Sequence, residues 1–216
     1  MHYPVYLNLR NRLCVVVGGD AEAESRVRAL LASAARVRVI AAEVNEELRR
    51  LATEGQIELI AREYRSGDLA GAFLVIATTT DPKTNEAIWQ EANQEKALLN
   101  IAGDSAHCTF MIPAILRRGN LCITVSTCGL SPALARRIRD RLAAEFGPEY
   151  GRFVEMLGQL RPRVVAAIPS FDRRKAFWYK LVDSEILELL QRGEEAAAWI
   201  RAEQILAEAA SEGAES

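Results

Sequence analysis

Short apolar runs alternate with helical patterns over the first hundred residues, and this alternation restricts the chain to a small set of folds. Leu13–Val17 is an apolar run that stops at Gly18-Gly19, as a buried strand does before a tight turn. Residues 21–33 then place apolar side chains at helical spacing. The same order repeats, with strands predicted at 37–40, 57–60, 73–77 and 98–101 and helices at 45–54 and 82–95. The predicted fold class is therefore α/β, with a Rossmann-like doubly wound parallel sheet.

The second half of the chain has a different pattern. Phe110–Leu116 and Leu121–Ser126 are apolar runs separated by Arg117-Arg118-Gly119-Asn120, which is typical of an antiparallel hairpin. Ser131-Pro132 then supplies a hydroxyl N-cap and a proline in the first turn of a helix that continues to Phe146. A small αβ element is expected here.

Only helical patterns follow residue 148, and proline or glycine divides them at Pro162, Pro169 and Gly193. The tail from Ala209 onward is small and polar enough to fray. We therefore predict three parts: a dinucleotide-binding domain over residues 1–113, the αβ element over 114–147, and an all-α domain over 148–216.

Charge and hydropathy exclude several classes of function. The formal net charge is −2, so the chain has no global positive field that would collect nucleic acid. The longest apolar stretches, such as Leu13–Val17 and Phe73–Ala77, are far shorter than the roughly 20 residues of a membrane span. The N-terminus shows no secretory pattern and the four cysteines show no CxxC spacing. A cytoplasmic protein without a disulfide framework is expected.

A glycine turn between the first strand and the first helix is the place where a Rossmann-like sheet binds a dinucleotide. Read from Gly18, the G-x-G-x-x-G/A pattern places Asp20 where the middle glycine belongs and Ala23 at the last position. A carboxylate about 4 Å from a phosphate charge costs roughly 1 to 4 kcal/mol, so Asp20 opposes cofactor binding unless it turns outward. A turn that merely connects strand and helix is the alternative.

The residues after the second strand bear on which cofactor would bind. Glu43 can bind a ribose hydroxyl and would repel a 2′-phosphate, which favours NAD over NADP. Arg38 within the strand argues in the opposite direction. The predicted cofactor contacts are Gly18, Gly19, Asp20, Ala21, Glu22, Ala42 and Glu43.

Three separated segments resemble motifs of sirohaem synthases. Tyr3–Leu9 resembles the proline- and leucine-containing stretch ahead of their first strand. Asn100–Asp104 followed by Phe110–Ala114 resembles their N-V-x-D … F-x-x-P-A pattern, and Val125–Arg136 resembles S-T-G-G-x-S-P-x-L-A-R. The resemblance extends into the C-terminal helices. The chain is thus identified as a member of the N-terminal module family of sirohaem synthases.

The resemblance implies an activity and an assembly. Members of this family are NAD-dependent precorrin-2 dehydrogenases, which oxidise precorrin-2 to sirohydrochlorin. Some members also insert ferrous iron, as a substrate, to give sirohaem. They are intertwined homodimers in which the hairpin region and the following helix form much of the contact, so residues 114–147 are expected to be the dimerisation element. The expected partners are a tetrapyrrole and a second copy of the chain.

The resemblance also implies site residues. The family's catalytic aspartate aligns with Gly103, and the carboxylate comes one residue later, so Asp104 is the candidate base. A one-residue shift at a strand end can turn a side chain to the opposite face. Cys128 replaces the first glycine of a conserved-motif pair and adds bulk where a macrocycle would lie. The predicted substrate contacts are Thr127, Cys128, Gly129, Ser131 and Arg136.

Two alternatives stay open. His107, Cys108 and Cys128 offer soft metal ligands, but an adjacent His-Cys pair is a weak signal, so no metal site is predicted and His107 is expected to be a surface loop residue. Trp89 is expected to serve packing rather than stacking on a ligand. The second alternative is a non-catalytic relative that binds a tetrapyrrole, or an enzyme of that pathway, and has lost NAD affinity through Asp20.

Overall fold

A computed structural model describes residues 2–211 of the chain. Its contacts divide the protein into two compact units, Met1–Ile112 and Pro113–Ser216. Within residues 2–211, no helix combines the length and the apolar character that crossing a bilayer requires. The finer division at 113/114 and 147/148 stays a prediction.

The first unit contains one parallel sheet with helices on both faces. All neighbouring strands run parallel, in the order β3-β2-β1-β4-β5. This arrangement confirms the predicted fold class. The strands are β1 (Leu13–Val17), β2 (Arg36–Ile40), β3 (Glu58–Ile60), β4 (Leu74–Ala77) and β5 (Leu98–Ile101), and the helices are α1 (Ala21–Leu31), α2 (Glu46–Thr53) and α3 (Pro82–Glu95).

Strand β1 lies at the centre of the sheet and is buried on both faces, as its uninterrupted apolar run predicts. Cys14 and Val16 belong to the core cluster that includes the apolar faces of α1 and α2. Val15 and Val17 belong to the cluster that includes the buried face of α3. Because alternate residues of a strand point to opposite faces, one apolar run serves both cores.

The second unit begins with an antiparallel hairpin and continues as helices. The predicted first strand over 110–116 is wrong at its start, because only Ala114 onward forms the ladder. Phe110 and Ile112 instead pack against the core of the first unit. The elements are β6 (Ala114–Arg118), β7 (Leu121–Val125), α4 (Pro132–Glu145), α5 (Glu149–Ala167), α6 (Phe171–Val182), α7 (Ile186–Gln191) and α8 (Glu195–Ser211).

Pro162 does not divide the C-terminal helices, so that prediction is wrong. Helix α5 runs through it, whereas Pro169 and Gly193 do lie between helices. An interior proline costs a helix about 3 kcal/mol. Leu160 and Val164 on either side are fully buried, and each contributes roughly 1.5 to 3 kcal/mol on burial, so packing outweighs the local preference.

The end of α8 is also more ordered than its composition suggests. Ala209–Ser211 are helical, so fraying from Ala209 is wrong for these three residues. Arg173 of α6 donates a hydrogen bond to the Ala209 carbonyl at 2.6 Å, which satisfies one of the acceptors that a helix end leaves open. The remaining tail, residues 212–216, lies outside the described residues.

Two glycines of α5 should respond in opposite ways to alanine. A Cβ at Gly151 would lie 2.9 Å from the backbone carbon and oxygen of Arg118, at the hairpin, whereas Gly158 has open space. Gly151→Ala should therefore destabilise the protein by about 1 to 3 kcal/mol through overpacking. Gly158→Ala should stabilise it by about 1 kcal/mol through helix propensity. Urea unfolding of both variants tests this, and equal shifts would contradict the close approach of hairpin and helix.

Candidate functional site

The turn between β1 and α1 is held between two other loops. Gly18 has φ +136, and a Cβ there would lie 2.1 Å from the Thr78 hydroxyl oxygen. A Cβ at Gly19 would lie 1.9 Å from the Glu43 carbonyl oxygen, and Asn45 donates its backbone N–H to Gly19 at 3.0 Å. Only glycine fits both positions. The turn is thus locked beside the loops that follow β2 and β4.

This turn occupies the point where the strand order reverses. The sheet continues from β1 to β2 on one side and to β4 on the other, and the connections leave on opposite faces. Ligands of open parallel sheets bind in the crevice at the carboxyl ends of the strands at such a point. Ala42 and Glu43 lie exposed in the neighbouring loop, so all seven predicted cofactor residues meet at this edge.

Asp20 is exposed, and its side chain turns back onto the N-terminus of helix α1. Its Oδ1 accepts the Ala23 N–H at 2.8 Å and the Thr78 hydroxyl at 3.2 Å, which makes it the N-cap. Within residues 2–211, the N–H groups of Ala21 and Glu22 have no hydrogen-bond acceptor. These free donors and the helix dipole fit an anionic group such as a pyrophosphate, although the Asp20 carboxylate opposes it.

Thr78 is a residue of the candidate site that the sequence interpretation did not identify. It directly follows β4, is buried, and contacts both Gly18 and Asp20 through its side chain. The available signal was a polar Thr-Thr-Thr run immediately after a buried apolar strand. This run indicates a site only when β4 is known to lie next to β1, and local sequence patterns do not show which strands are neighbours.

Arg38 is already paired within the sheet. Its guanidinium bonds the Glu58 carboxylate at 2.9 Å and the Asp68 carbonyl at 3.3 Å. The cation that would favour a 2′-phosphate is therefore held by β3 and its following loop, whereas Glu43 stays exposed beside the glycine turn. The charged side chain at the candidate ribose position is therefore the Glu43 carboxylate, which would repel a 2′-phosphate.

Asp104 lies in a turn after β5, at the same edge of the sheet. Gly103 has φ +80, and the Asp104 N–H bonds the Ile101 carbonyl at 3.2 Å. The Asp104 carboxylate is 2.6 Å from Nδ1 of His107. This hydrogen bond lowers the pKa of Asp104 and raises the pKa of His107. The candidate base is therefore one half of a carboxylate–imidazole pair with His107, which lies in the same loop, as predicted.

Cys108 is enclosed by its own loop. Its sulfur accepts the Ile101 N–H at 3.2 Å and donates to the Asp104 carbonyl at 3.0 Å, and burial raises the pKa of the thiol. A group of three or more His, Cys, Asp or Glu side chains placed to hold a metal ion does not occur among residues 2–211. The thiol of Cys108 stabilises the loop that carries the Asp104–His107 pair.

The predicted substrate residues lie in the loop before α4 and, for Arg136, within that helix. Thr127 accepts the Ser131 N–H at 3.0 Å through its hydroxyl, and Ser131 caps α4 by accepting the Leu134 N–H at 3.3 Å. Cys128 and Gly129 have φ values of +52 and +83. Consecutive left-handed residues explain why this motif favours glycine, and Cys128 adopts the same conformation with an exposed side chain.

Family models cover most of the chain in three consecutive segments. Residues 5–114 match the family described as putative NAD(P)-binding. Residues 118–145 match the sirohaem biosynthesis protein central region, and residues 149–208 match the sirohaem synthase dimerisation region. The match to a dimerisation region therefore covers helices after residue 148, whereas the sequence predicted dimerisation through residues 114–147.

Individual proteins agree with these models. The chain is 36% identical over 194 residues to "Siroheme synthase" of Photobacterium profundum, covering 90% of this chain and 41% of that protein. It is 34% identical over 215 residues to "Siroheme synthase 3" of Aeromonas hydrophila, covering 99% and 46%. The chain therefore spans less than half the length of these curated relatives.

A solved structure matches nearly end to end. The structure titled "SirC, precorrin-2 dehydrogenase" superposes with a TM-score of 0.79 at 26% sequence identity. The match covers 94% of this chain and 100% of that one. The similarity therefore includes both the parallel sheet and the helical unit.

Proposed function

Because the chain belongs to the N-terminal module family of sirohaem synthases, we propose that it oxidises precorrin-2 to sirohydrochlorin with NAD as the electron acceptor. The observation that carries this proposal is the β1–α1 glycine turn at the reversal point of the sheet, with free amides on α1. The likeness to a precorrin-2 dehydrogenase over almost the whole chain supports it.

Different residues of the chain would bind different parts of the cofactor. Gly18 and Gly19 let the backbone approach a pyrophosphate, and the N–H groups of Ala21 and Glu22 donate to it. The Glu43 carboxylate accepts a ribose hydroxyl, which with Arg38 already paired favours NAD over NADP. When bound, the nicotinamide ring supplies a two-electron acceptor.

The proposed contact for the tetrapyrrole is the loop over residues 127–131 together with Arg136 of α4. A macrocycle with carboxylates on its rim needs N–H donors and cations. Cys128 and Gly129 adopt left-handed conformations in an exposed loop. Arg136 is exposed, and its guanidinium donates to the Pro132 carbonyl at 3.4 Å. Thr127 and Ser131 fix this loop to the start of α4.

A homodimer accounts for the exposed apolar surface of the αβ element. Between residues 114 and 147 only Leu116 and Ala135 are buried, while Leu130 and Leu134 are 90% and 52% exposed. The hairpin contacts α4 and α5 through Arg118, yet its apolar side chains other than Leu116 are only partly buried, so this element still offers a surface that a partner can cover. We propose that a second copy covers it, with the helices of the dimerisation region contributing. All four cysteines are free, which fits a reducing, cytoplasmic setting.

Ferrous iron insertion is a second proposed activity, with iron as a substrate. Metal insertion displaces two pyrrole N–H protons, and the Asp104–His107 pair offers an acceptor for them. Formation of sirohaem from sirohydrochlorin and ferrous iron, without NAD, tests this activity independently of the oxidation.

Calorimetry of NAD binding, with and without sirohydrochlorin, tests the main proposal. We expect a micromolar dissociation constant, about −8 kcal/mol, followed by NADH formation when precorrin-2 is added. Tetrapyrrole binding with no detectable NAD binding would contradict it. That result would favour a non-catalytic relative that carries the ring, for which the Asp20 carboxylate at the α1 N-terminus is the supporting observation.

A further inference from the structure

We propose that His107, oriented by Asp104, is the group that accepts the proton from the tetrapyrrole, and that Asp104 acts through it as a positioning residue. This inference rests on the proposed dehydrogenase function and names the proton acceptor of that reaction. It assigns the chemistry to a residue three positions beyond the carboxylate that the sequence motif indicates.

The imidazole of His107 is fixed on two sides. Its Nδ1 lies 2.6 Å from Oδ2 of Asp104, and its backbone N–H reaches Oδ1 of the same carboxylate at 3.4 Å. The ring also packs on Trp89 of α3, with centroids 4.8 Å apart and planes tilted by 53°. With Nδ1 engaged, Nε2 is the nitrogen left for a proton, and a side chain 34% exposed gives a substrate access to it.

The pair occupies the side of the sheet on which the glycine turn lies. Strands β1, β4 and β5 are adjacent and parallel, so their carboxyl ends share one edge. Neighbouring strands are about 4.8 Å apart, which places the loop after β5 about 10 Å along the edge from the turn after β1. A ring substrate that contacts a nicotinamide at this edge is within reach of the loop after β5.

Electrostatics makes His107 the better proton acceptor. Its pKa is raised first by the hydrogen bond to Asp104, and further by the charges of Asp104 in the same loop and of Glu86 on α3. The hydrogen bond to His107 lowers the pKa of Asp104, which makes that carboxylate a weaker base. The two opposite shifts favour the imidazole over the carboxylate as the group that takes up a proton.

The proposed step balances in atoms and electrons. Oxidation removes two hydrogens from the macrocycle: one leaves with its bonding electron pair and reduces the nicotinamide, and the other leaves as a proton. The second X–H bond breaks as an N–H bond forms at Nε2 of His107, while its electron pair stays in the macrocycle as a new π bond. The imidazolium is paired with Asp104 and then loses its proton to solvent.

The chain contains only two histidines, so the test can be specific. The variants are His107→Gln and Asp104→Asn, with His2→Gln as the control because His2 lies in the exposed N-terminal segment. The first readout is the NMR titration of the His107 imidazole in the His2→Gln background, with and without sirohydrochlorin. The second is the pH dependence of kcat and KM for precorrin-2 oxidation, measured beside NAD affinity.

The expected pattern separates the roles. His107→Gln should lower kcat about 100-fold and remove the acidic limb of the rate profile, while NAD affinity stays within about twofold. Because the folded pKa of His107 is raised, the wild-type rate should climb with pH through a value above about 6.5. Asp104→Asn should lower the pKa of His107 and move that limb to lower pH. Sirohydrochlorin should shift the His107 resonance.

Other outcomes overturn the inference. An active His107→Gln enzyme that keeps the acidic limb, alongside an inactive Asp104→Asn enzyme, would make Asp104 the direct base. A His107 resonance that sirohydrochlorin leaves unchanged would place the imidazole away from the ring. Failure of the proposed function itself is distinguishable, because the wild-type protein would then show no NADH formation, and both proposals would fall together.

Discussion

Replacing Asp20 by asparagine is expected to tighten NAD binding. The carboxylate lies on the α1 N-terminus, beside the free amides of Ala21 and Glu22 that would bind a pyrophosphate. Removing a repulsion of about 1 to 4 kcal/mol should raise the affinity between about fivefold and several hundredfold. Asparagine caps helices about as well as aspartate, so α1 should stay intact at a cost of about 0.3 to 1 kcal/mol in dipole interaction. Calorimetric titration with NAD measures the change.

A matched charge removal separates this effect from net charge. Asp172 lies in the first turn of α6, in the second unit, so Asp172→Asn changes the total charge by the same amount. It should leave NAD affinity within about twofold, since it changes the net charge without altering the β1–α1 turn. Equal affinities for wild type and Asp20→Asn would show that Asp20 does not face the cofactor phosphates, and the repulsion argument would fail.

Glu91→Ala should strongly destabilise the first unit. Glu91 lies on the inner face of α3 and is buried. Its carboxylate accepts the Tyr64 hydroxyl and the backbone N–H groups of Gly67 at 3.0 Å and Leu69 at 2.7 Å. Truncation leaves three donors without their acceptor, so we expect a loss on the order of 3 kcal/mol or more in the free energy of unfolding.

The same helix provides the control for this prediction. Glu95 is exposed and accepts one hydrogen bond, from Gly71 at 2.9 Å. Glu95→Ala should therefore cost less than about 1 kcal/mol, because water can replace the carboxylate. Burial and the Glu91 hydrogen bond also raise the pKa of Tyr64, so its phenol should titrate at lower pH in Glu91→Ala. Similar unfolding midpoints for the two alanine variants would show that the buried hydrogen bonds of Glu91 do not add this stability.

Most of the secondary structure could be predicted from local pattern. The strand Leu13–Val17 and the helix Pro82–Glu95 match their predicted bounds, because an apolar run before glycines and an Asp-Pro start are local signals. The errors arose where tertiary contacts compete with pattern. Phe110 and Ile112 pack against the core within the first unit instead of extending the hairpin, and Pro162 lies inside a helix whose neighbouring side chains are buried.

The candidate site was predicted in part, for a related reason. The glycine turn and Glu43 were predicted as cofactor contacts because the residues that follow a strand in such a turn can be recognised in the sequence, and their role stays a prediction. Thr78 was missed because it reaches Asp20 across 58 positions of the chain. His107 was predicted as a surface loop residue, and its pairing with Asp104 follows from a turn whose geometry depends on Gly103 and the enclosed Cys108.

The succession of strands and helices along the chain, the position of the glycine turn and the family could be predicted from the sequence, since these depend on periodicity, on glycine and on motif spacing. The directions in which side chains point became known only from the folded structure. It turned Asp20 onto the α1 amides, placed Thr78 beside it, and joined Asp104 to His107 against Trp89. The physical reason is that hydrogen-bond partners and pKa shifts depend on distances across elements, which a linear pattern does not fix.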